Sequence, residues 1–269
     1  MIYRRILLGA LFLAFAGSAH AQMAQTLPYD HIHLTAPDPE EARDWYINNL
    51  DLVVGETPGR AATFAWTGSR PLPIQFMWIG GENAPSSEGS VIDNIGFSFA
   101  DVDAKVAQLE AAGATVVNAP RDVPNMWRRA LVMDPWGVRL ELINDPEIRG
   151  LHHFALRVAD PEASLAYYTT AFGGERTKMK DRLDAVMYGN LYLLILPGDD
   201  RAPSQGRAID HLGWGPSDMD ATAAYLRSQN IEFTREPAAE VNRFGHRTAY
   251  VEGPGGARIE LVMHAKVQN

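Results

Sequence analysis

An α+β protein built from four βαβββ modules in two similar halves is the architecture this sequence predicts. Three observations point to it. Four strand starts look alike: "DHIHLTAPD" (30–38), "DNIGFSFAD" (93–101), "HHFALRVAD" (152–160) and "DHLGWGPSD" (210–218). Each is followed by a helix-like segment and then by three candidate strands. The two halves also repeat at a spacing of about 120 residues, so that His31 answers to His153 and Glu141 to Glu260. Self-similarity of this kind is the mark of a duplicated supersecondary unit.

The elements follow in chain order. Arg4 and Arg5, the apolar run 6–15 and the small-x-small triplet Ala19-His20-Ala21 read as a secretory signal peptide over residues 1–21, because the apolar run is too short to span a bilayer. Cleavage near Ala21 would export the protein, most simply to a bacterial periplasm. The first and third helices start at Asp38 and Asp160, each an N-cap with Pro at the first helical position and Glu in the first turn. The second helix ends at Gly113 and the fourth at Asn230, residues suited to a left-handed C′ position. The even modules close alike, "DPWGVRLELI" (134–143) and "GPGGARIELV" (253–262); the odd ones close as "PLPIQFMWIG" (71–80) and "YGNLYLLILP" (188–197). The polar stretch 144–150 separates an N-terminal domain, 27–146, from a C-terminal domain, 150–265.

Composition narrows the chemistry. The 269-residue chain has no cysteine, so disulfide and thiolate chemistry are excluded and any metal must be held by His, carboxylate or neutral oxygen ligands. A net charge of −9 without a basic stripe argues against nucleic acid as a partner. No later segment reads as a membrane span. A small molecule is the expected partner. Two domains in one chain allow a monomer, and oligomeric state is otherwise open.

The "DHxxL" strand starts and "DPxGxRxEL" closing strands resemble the vicinal oxygen chelate (VOC) superfamily, which includes glyoxalase I, bleomycin resistance proteins and extradiol dioxygenases. The resemblance covers the whole chain after the signal peptide. It implies that pairs of modules form curved sheets, each cupping a divalent metal. It does not choose among the chemistries that one scaffold carries.

Strand alternation selects the cup-facing residues independently of the family. In each first strand the large apolar residues (Ile32 and Leu34, Ile95 and Phe97, Phe154 and Leu156, Leu212 and Trp214) share the face expected under the helix. The opposite face carries His31 and His33, Asn94, His153 and His211. In the closing strands Gln75, Glu141, Tyr192 and Glu260 stand between apolar neighbours, and a carboxylate so placed needs a cation or hydrogen bonds. Glu141 could instead pair with Arg139 or a neighbouring arginine. Pairing modules within each half predicts a C-terminal cup of His153, His211, Glu260 and Tyr192. Two imidazoles and a carboxylate there suit Fe(II), with Mn(II), Zn(II) or Ni(II) also possible. The N-terminal cup would hold His31, Gln75, Asn94 and Glu141, a weaker and degenerate set that His33 could rescue.

The resemblance then suggests reactions. Extradiol dioxygenases use two histidines and one glutamate, which His153, His211 and Glu260 match, and a tyrosine ten residues before the glutamate, which Tyr250 matches. His246 would assist Tyr250 in orienting or protonating the substrate. The histidine that those enzymes carry on the last strand of the third module is missing near Asn190. An exported, metal-dependent dioxygenase acting on a small substrate with vicinal oxygens is the leading expectation. The alternatives are a glyoxalase-like lyase, isomerase or epimerase working through an enediolate, and a non-catalytic drug-binding protein of the resistance type.

Overall fold

The computed structural model describes residues 26–54, 64–67 and 73–264; the signal peptide expected over 1–21 lies outside them. Module one comprises β1 (Tyr29–Ala36), α1 (Pro39–Leu50), β2 (Leu52–Val54), β3 (Phe64–Thr67) and β4 (Gln75–Gly80). Module two comprises β5 (Ile92–Ser98), α2 (Val102–Ala111), β6 (Thr115–Arg121), β7 (Arg129–Met133) and β8 (Arg139–Ile143). Module three comprises β9 (Gly150–Val158), α3 (Pro161–Phe172), β10 (Glu175–Met179), β11 (Leu183–Tyr188) and β12 (Leu191–Pro197). Module four comprises β13 (Ile209–Trp214), α4 (Met219–Ser228), β14 (Phe233–Arg235), β15 (His246–Gly253) and β16 (Ala257–His264). All four helices begin at aspartate caps: Asp38 accepts from the Glu40 and Glu41 amides, and Asp101, Asp160 and Asp218 each accept from the amide three residues on. Gly113 and Asn230 take positive φ, 95° and 59°, at the helix ends.

The four βαβββ units are thus as the sequence predicts, but they pair differently. One eight-stranded sheet runs β14-β15-β16-β13-β1-β4-β3-β2 and joins modules four and one. The other runs β10-β11-β12-β9-β5-β8-β7-β6 and joins modules three and two. Each half of the sequence gives one module to each sheet. The connections explain this. The short 144–149 link returns β9 antiparallel beside β5 in the same sheet. The longer runs 81–91 and 198–208 carry the chain between sheets. They hydrogen-bond to each other, with the Val91 amide donating to the Ala202 carbonyl at 2.9 Å and Ala202 N to Gly89 O at 2.9 Å.

The apolar strand faces are buried as expected. Ile32, Leu34, Ile95, Phe97, Phe154, Leu156, Leu212 and Trp214 belong to one continuous core that draws on all four modules. Among the described residues, no helix is long and apolar enough to cross a membrane.

Candidate metal centre

The site forms where β1 and β13 lie antiparallel at the middle of the outer-module sheet. The register aligns Gln75 with His31, His31 with Gly213, Gly213 with Glu260, and Glu260 with Tyr250. Residues in one cross-strand row share a face, so these side chains point into one cleft. Two residues along, His33 faces His211 and Met77. Gly213 is what lets His31 in: a Cβ built there would sit 2.2 Å from the His31 ring. Replacing Gly213 with Ala should therefore push the ring aside and weaken divalent-metal affinity by at least tenfold. Secondary structure should be unchanged by circular dichroism; metal titration checks the loss.

The imidazoles converge on one carboxylate. His31 Nε2 lies 3.1 Å and His211 Nε2 2.9 Å from Glu260 Oε2. The other nitrogens are held from behind: Asp30 Oδ1 accepts from His31 Nδ1 at 2.8 Å, and Asp210 Oδ1 from His211 Nδ1 at 2.5 Å. Asp210 is fixed in turn by Arg258 at 2.7 Å and the Gly206 amide at 2.6 Å. With Nδ1–H committed to an aspartate, a neutral imidazole presents its Nε2 lone pair to a carboxylate oxygen. That contact is repulsive unless a proton or a cation lies between. Aspartate-backed imidazoles are the usual outer support of metal-ligating histidines. His33 completes the cluster, its ring centroid 4.2 Å from that of His211, and ligand atoms of His31, His33, His211 and Glu260 all lie within 4.8 Å of one another. Three imidazoles and one carboxylate fit a divalent transition metal. Gln75, buried with its Nε2 unpaired, offers a further neutral donor to this cleft.

The same geometry sets the charges. Burial opposes ionisation of Glu260, but hydrogen bonds from His211 and His31 outweigh it and hold the carboxyl far below the usual range. Burial lowers His31, yet Asp30 and Glu260 push its pKa up to about 9. Burial, with His211 and His31 adding to it, drives His33 well down, so it stays neutral and can ligate. Burial and then the Glu260 charge raise Tyr250, keeping its hydroxyl protonated. A cleft of about 610 Å³ opens over the cluster, with Phe64, Met77, Phe244 and Val262 as apolar walls and Arg243, His246 and His264 among its polar ones.

The expected grouping of His153 with His211 and Glu260 is not formed. His153 and Tyr192 lie on the inner-module sheet, where β9 pairs with β12 and with β5, so they share a face with Glu141 rather than Glu260. His31 and Gln75, expected in a degenerate cup with Asn94 and Glu141, instead join His211, Glu260, Tyr250 and His246. The inner-module sheet, with Asn94, Glu141, His153 and Tyr192, makes a poor metal site. Arg129 sits 3.2 Å from Glu141 and supplies the compensating cation. His153 Nε2 is 3.7 Å from Glu141 and has no hydrogen-bond partner. His152 contacts His153 Nδ1 at 2.9 Å and Asp145 at 3.1 Å. Trp127 and Met126 cover the neighbouring face, packed with Ala155, Ala185 and Leu194. Asn94 is tied to Asp93 at 2.9 Å, and Arg139 pairs with Asp93 rather than Glu141. Sequence reasoning singles out His31, His211, Glu260, Tyr250 and His246, but not Asp30, Asp210 or His264. The "DH" pairs at 30–31 and 210–211 are the available signal, since an aspartate beside a ligating histidine can reach its Nδ1.

The duplicated βαβββ scaffold places a His/Glu cluster that could hold a metal ion in a cleft on the sheet shared by modules one and four. The model of the Glyoxalase/Bleomycin resistance protein/Dioxygenase superfamily matches residues 29–142 and 150–261, and the chain belongs to that superfamily. An uncharacterised Mycobacterium tuberculosis protein is 32% identical over 137 residues, 45% of this chain and 79% of that protein. Glyoxalase I of Saccharomyces cerevisiae is 24% identical over 159 residues, 46% of this chain and 47% of the yeast protein. Among solved structures, glyoxalase I from Zea mays superimposes with a TM-score of 0.70 at 18% identity, covering 88% of this chain and 92% of that one. A putative dioxygenase from Bacillus subtilis gives 0.61 at 17% identity, covering 89% and 86%. These two likenesses concern the fold.

Proposed function

We propose that the protein is an exported, divalent-metal-dependent enzyme of the glyoxalase-like lyase or isomerase type, acting on a small substrate with two neighbouring oxygens. One observation carries the reading: His31 and His211, each backed by an aspartate, aim their Nε2 atoms at the same Glu260 oxygen. His31, His33, His211 and Glu260 would hold the metal, with Gln75 at its side. When bound, the metal supplies Lewis acidity that stabilises negative charge developing on two adjacent substrate oxygens. The chain's own residues do the rest. Phe64, Met77 and Val262 shape an apolar slot, and burial of the cluster excludes bulk water. The protonated Tyr250 hydroxyl is a hydrogen-bond donor beside Glu260. Gathering three imidazoles and one carboxylate favours this reading over an oxygenase, because it leaves fewer open positions than a set of two histidines and one carboxylate. Export comes from the signal-like residues 1–21, and outside the cytoplasm a glutathione-independent substrate is the consistent choice.

A second reading rests on Tyr250 and on His31, His211 and Glu260 taken alone, which also make two histidines and one carboxylate. An extradiol-type oxygenase would follow. Metal-loaded protein incubated with catechols and with α-hydroxyketones, in air and under nitrogen, separates the two. Turnover of hydroxyketones that is indifferent to oxygen supports the isomerase; oxygen uptake with catechols sinks it.

The pKa of His31 gives a pH test. In metal-free protein its folded value, about 9, lies above the ordinary 6.5. The stability it contributes is therefore complete below pH 6.5 and is lost as pH rises through about 9. A divalent cation takes the place of that proton. The melting temperature of chelator-treated protein should fall between pH 6.5 and 9, and added zinc should raise it more at pH 9 than at pH 6.5. A zinc effect that shrinks with rising pH contradicts the assignment.

A further inference from the structure

The aspartates of the four modules are held by different means. In the even modules the clasp is internal. Arg258, two residues before Glu260, pairs with Asp210 at 2.7 Å, and Arg139, two residues before Glu141, pairs with Asp93 at 2.7 Å. Module one has Pro73 at that position, two before Gln75, and proline has no side-chain donor. Asp30 takes its partner from module four instead. His264, the last residue of β16, places Nε2 2.5 Å from Asp30 Oδ2, while Asp30 Oδ1 accepts from His31 Nδ1 at 2.8 Å. Among the described residues, these two imidazoles are the only side chains that hydrogen-bond to Asp30. A carboxylate only accepts, so His264 donates from Nε2. The His264 ring is half exposed and packs edge-on against His246, 4.4 Å between centroids.

The inner-module sheet has the same tie with its residue types exchanged. By register His153 stands where His31 does, and Glu141 where Glu260 does. His152 therefore answers to Asp30 and Asp145 to His264, and this pair too is in contact, at 3.1 Å. Each sheet thus joins its two modules by an acid and an imidazole. Only the outer-module sheet sets the acid beside the histidine that faces the glutamate. An imidazole at that place cannot give the anionic support that a carboxylate gives a ligating histidine.

We infer that His264 is a positioning residue for the metal centre, fixing Asp30 and through it the direction in which His31 presents Nε2; the assignment rests on the metal-dependent reading above. With one oxygen engaged, an aspartate can still turn about its side-chain torsions. With both engaged, the carboxylate plane is set, and with it the line of the His31 Nδ1–H bond. His31 then keeps its proton on Nδ1 and its Nε2 lone pair toward Glu260 and a cation. A half-exposed pair contributes little to folding, so losing it should show in metal affinity and not in the melting temperature of metal-free protein.

Zinc titration of the full chain tests this. His264→Leu, which keeps bulk and removes the donor, should bind zinc about tenfold more weakly than wild type. His264→Gln, whose amide can still donate to Asp30, should recover most of that loss. In an Asp30→Leu background, His264→Leu should add no further loss, because the two act as one unit. Equal affinity of wild type and His264→Leu overturns the assignment, as does a glutamine variant as weak as the leucine one or a full further loss in the Asp30→Leu background. Proton spectra of metal-free protein test it independently. The His31 Nδ1–H resonance, assigned by its absence in His31→Gln, should be sharp in wild type and in His264→Gln and broadened by exchange in His264→Leu. A resonance unchanged in His264→Leu overturns the positioning role whether or not zinc binds. Wild type that takes up no zinc strikes the proposed function itself, with the Nδ1–H resonance still judging His264.

Discussion

Changing His211 to alanine should take the protein from about one divalent ion per chain to none, while His153→Ala leaves metal content where it was. The contrast follows from sheet membership. His211 Nε2 is 2.9 Å from Glu260 and shares the cleft with His31 and His33. Its removal also leaves Asp210 and Glu260 as buried carboxylates with fewer partners, and an uncompensated buried charge is costly. His153 lies in the other sheet, next to a glutamate already paired with Arg129. Elemental analysis of wild type and both variants, purified without chelators, reads the outcome. Loss of metal in the His153 variant with retention in the His211 variant would reverse the assignment of the two cups.

Trp214→Ala should cost about 3–5 kcal/mol, enough to unfold a large share of the molecules under mild denaturant. The indole is fully buried and lies 4.7 Å from the Phe172 ring at 18°, 4.6 Å from Tyr29 and 5.7 Å from Tyr188. It therefore ties module four to modules one and three, and the cavity left by alanine cannot collapse onto a single neighbour. Trp214→Phe should cost much less, because the indole Nε1 has no hydrogen-bond partner to lose and the ring contacts are largely kept. Urea midpoints, with slopes checked for constancy, measure both. A phenylalanine variant as unstable as the alanine one would mean that the indole nitrogen matters after all.

Much of this molecule is legible in the chain. Aspartate caps, period-two strand faces and the fourfold "D/H-x-x-x-[LFW]" starts are local signals, and each is obeyed in the structure. The candidate site residues are legible too, because a histidine or carboxylate between apolar neighbours on a core strand demands an explanation in one residue's own terms. Their grouping is not. Chain order places His31 with Asn94 and Glu141, and His153 with His211 and Glu260, on the premise that neighbouring modules pair. The short 144–149 link and the longer 81–91 and 198–208 connections hold a hint, since a short link leaves its two modules little choice but a common sheet.

Residue type and periodicity therefore determined, from the sequence alone, which side chains face a cup, which aspartates cap helices, and that the chain is a fourfold βαβββ repeat. Alternation along a strand is a property of one strand, and a cap is a property of one turn. Which cups exist depends on which strand edges hydrogen-bond to which, a choice between near-identical modules that only long-range packing resolves. The partnership of β1 with β13 brought His31, His33, His211 and Glu260 to one point. That of β5 with β9 left His153 beside a glutamate that an arginine already neutralises.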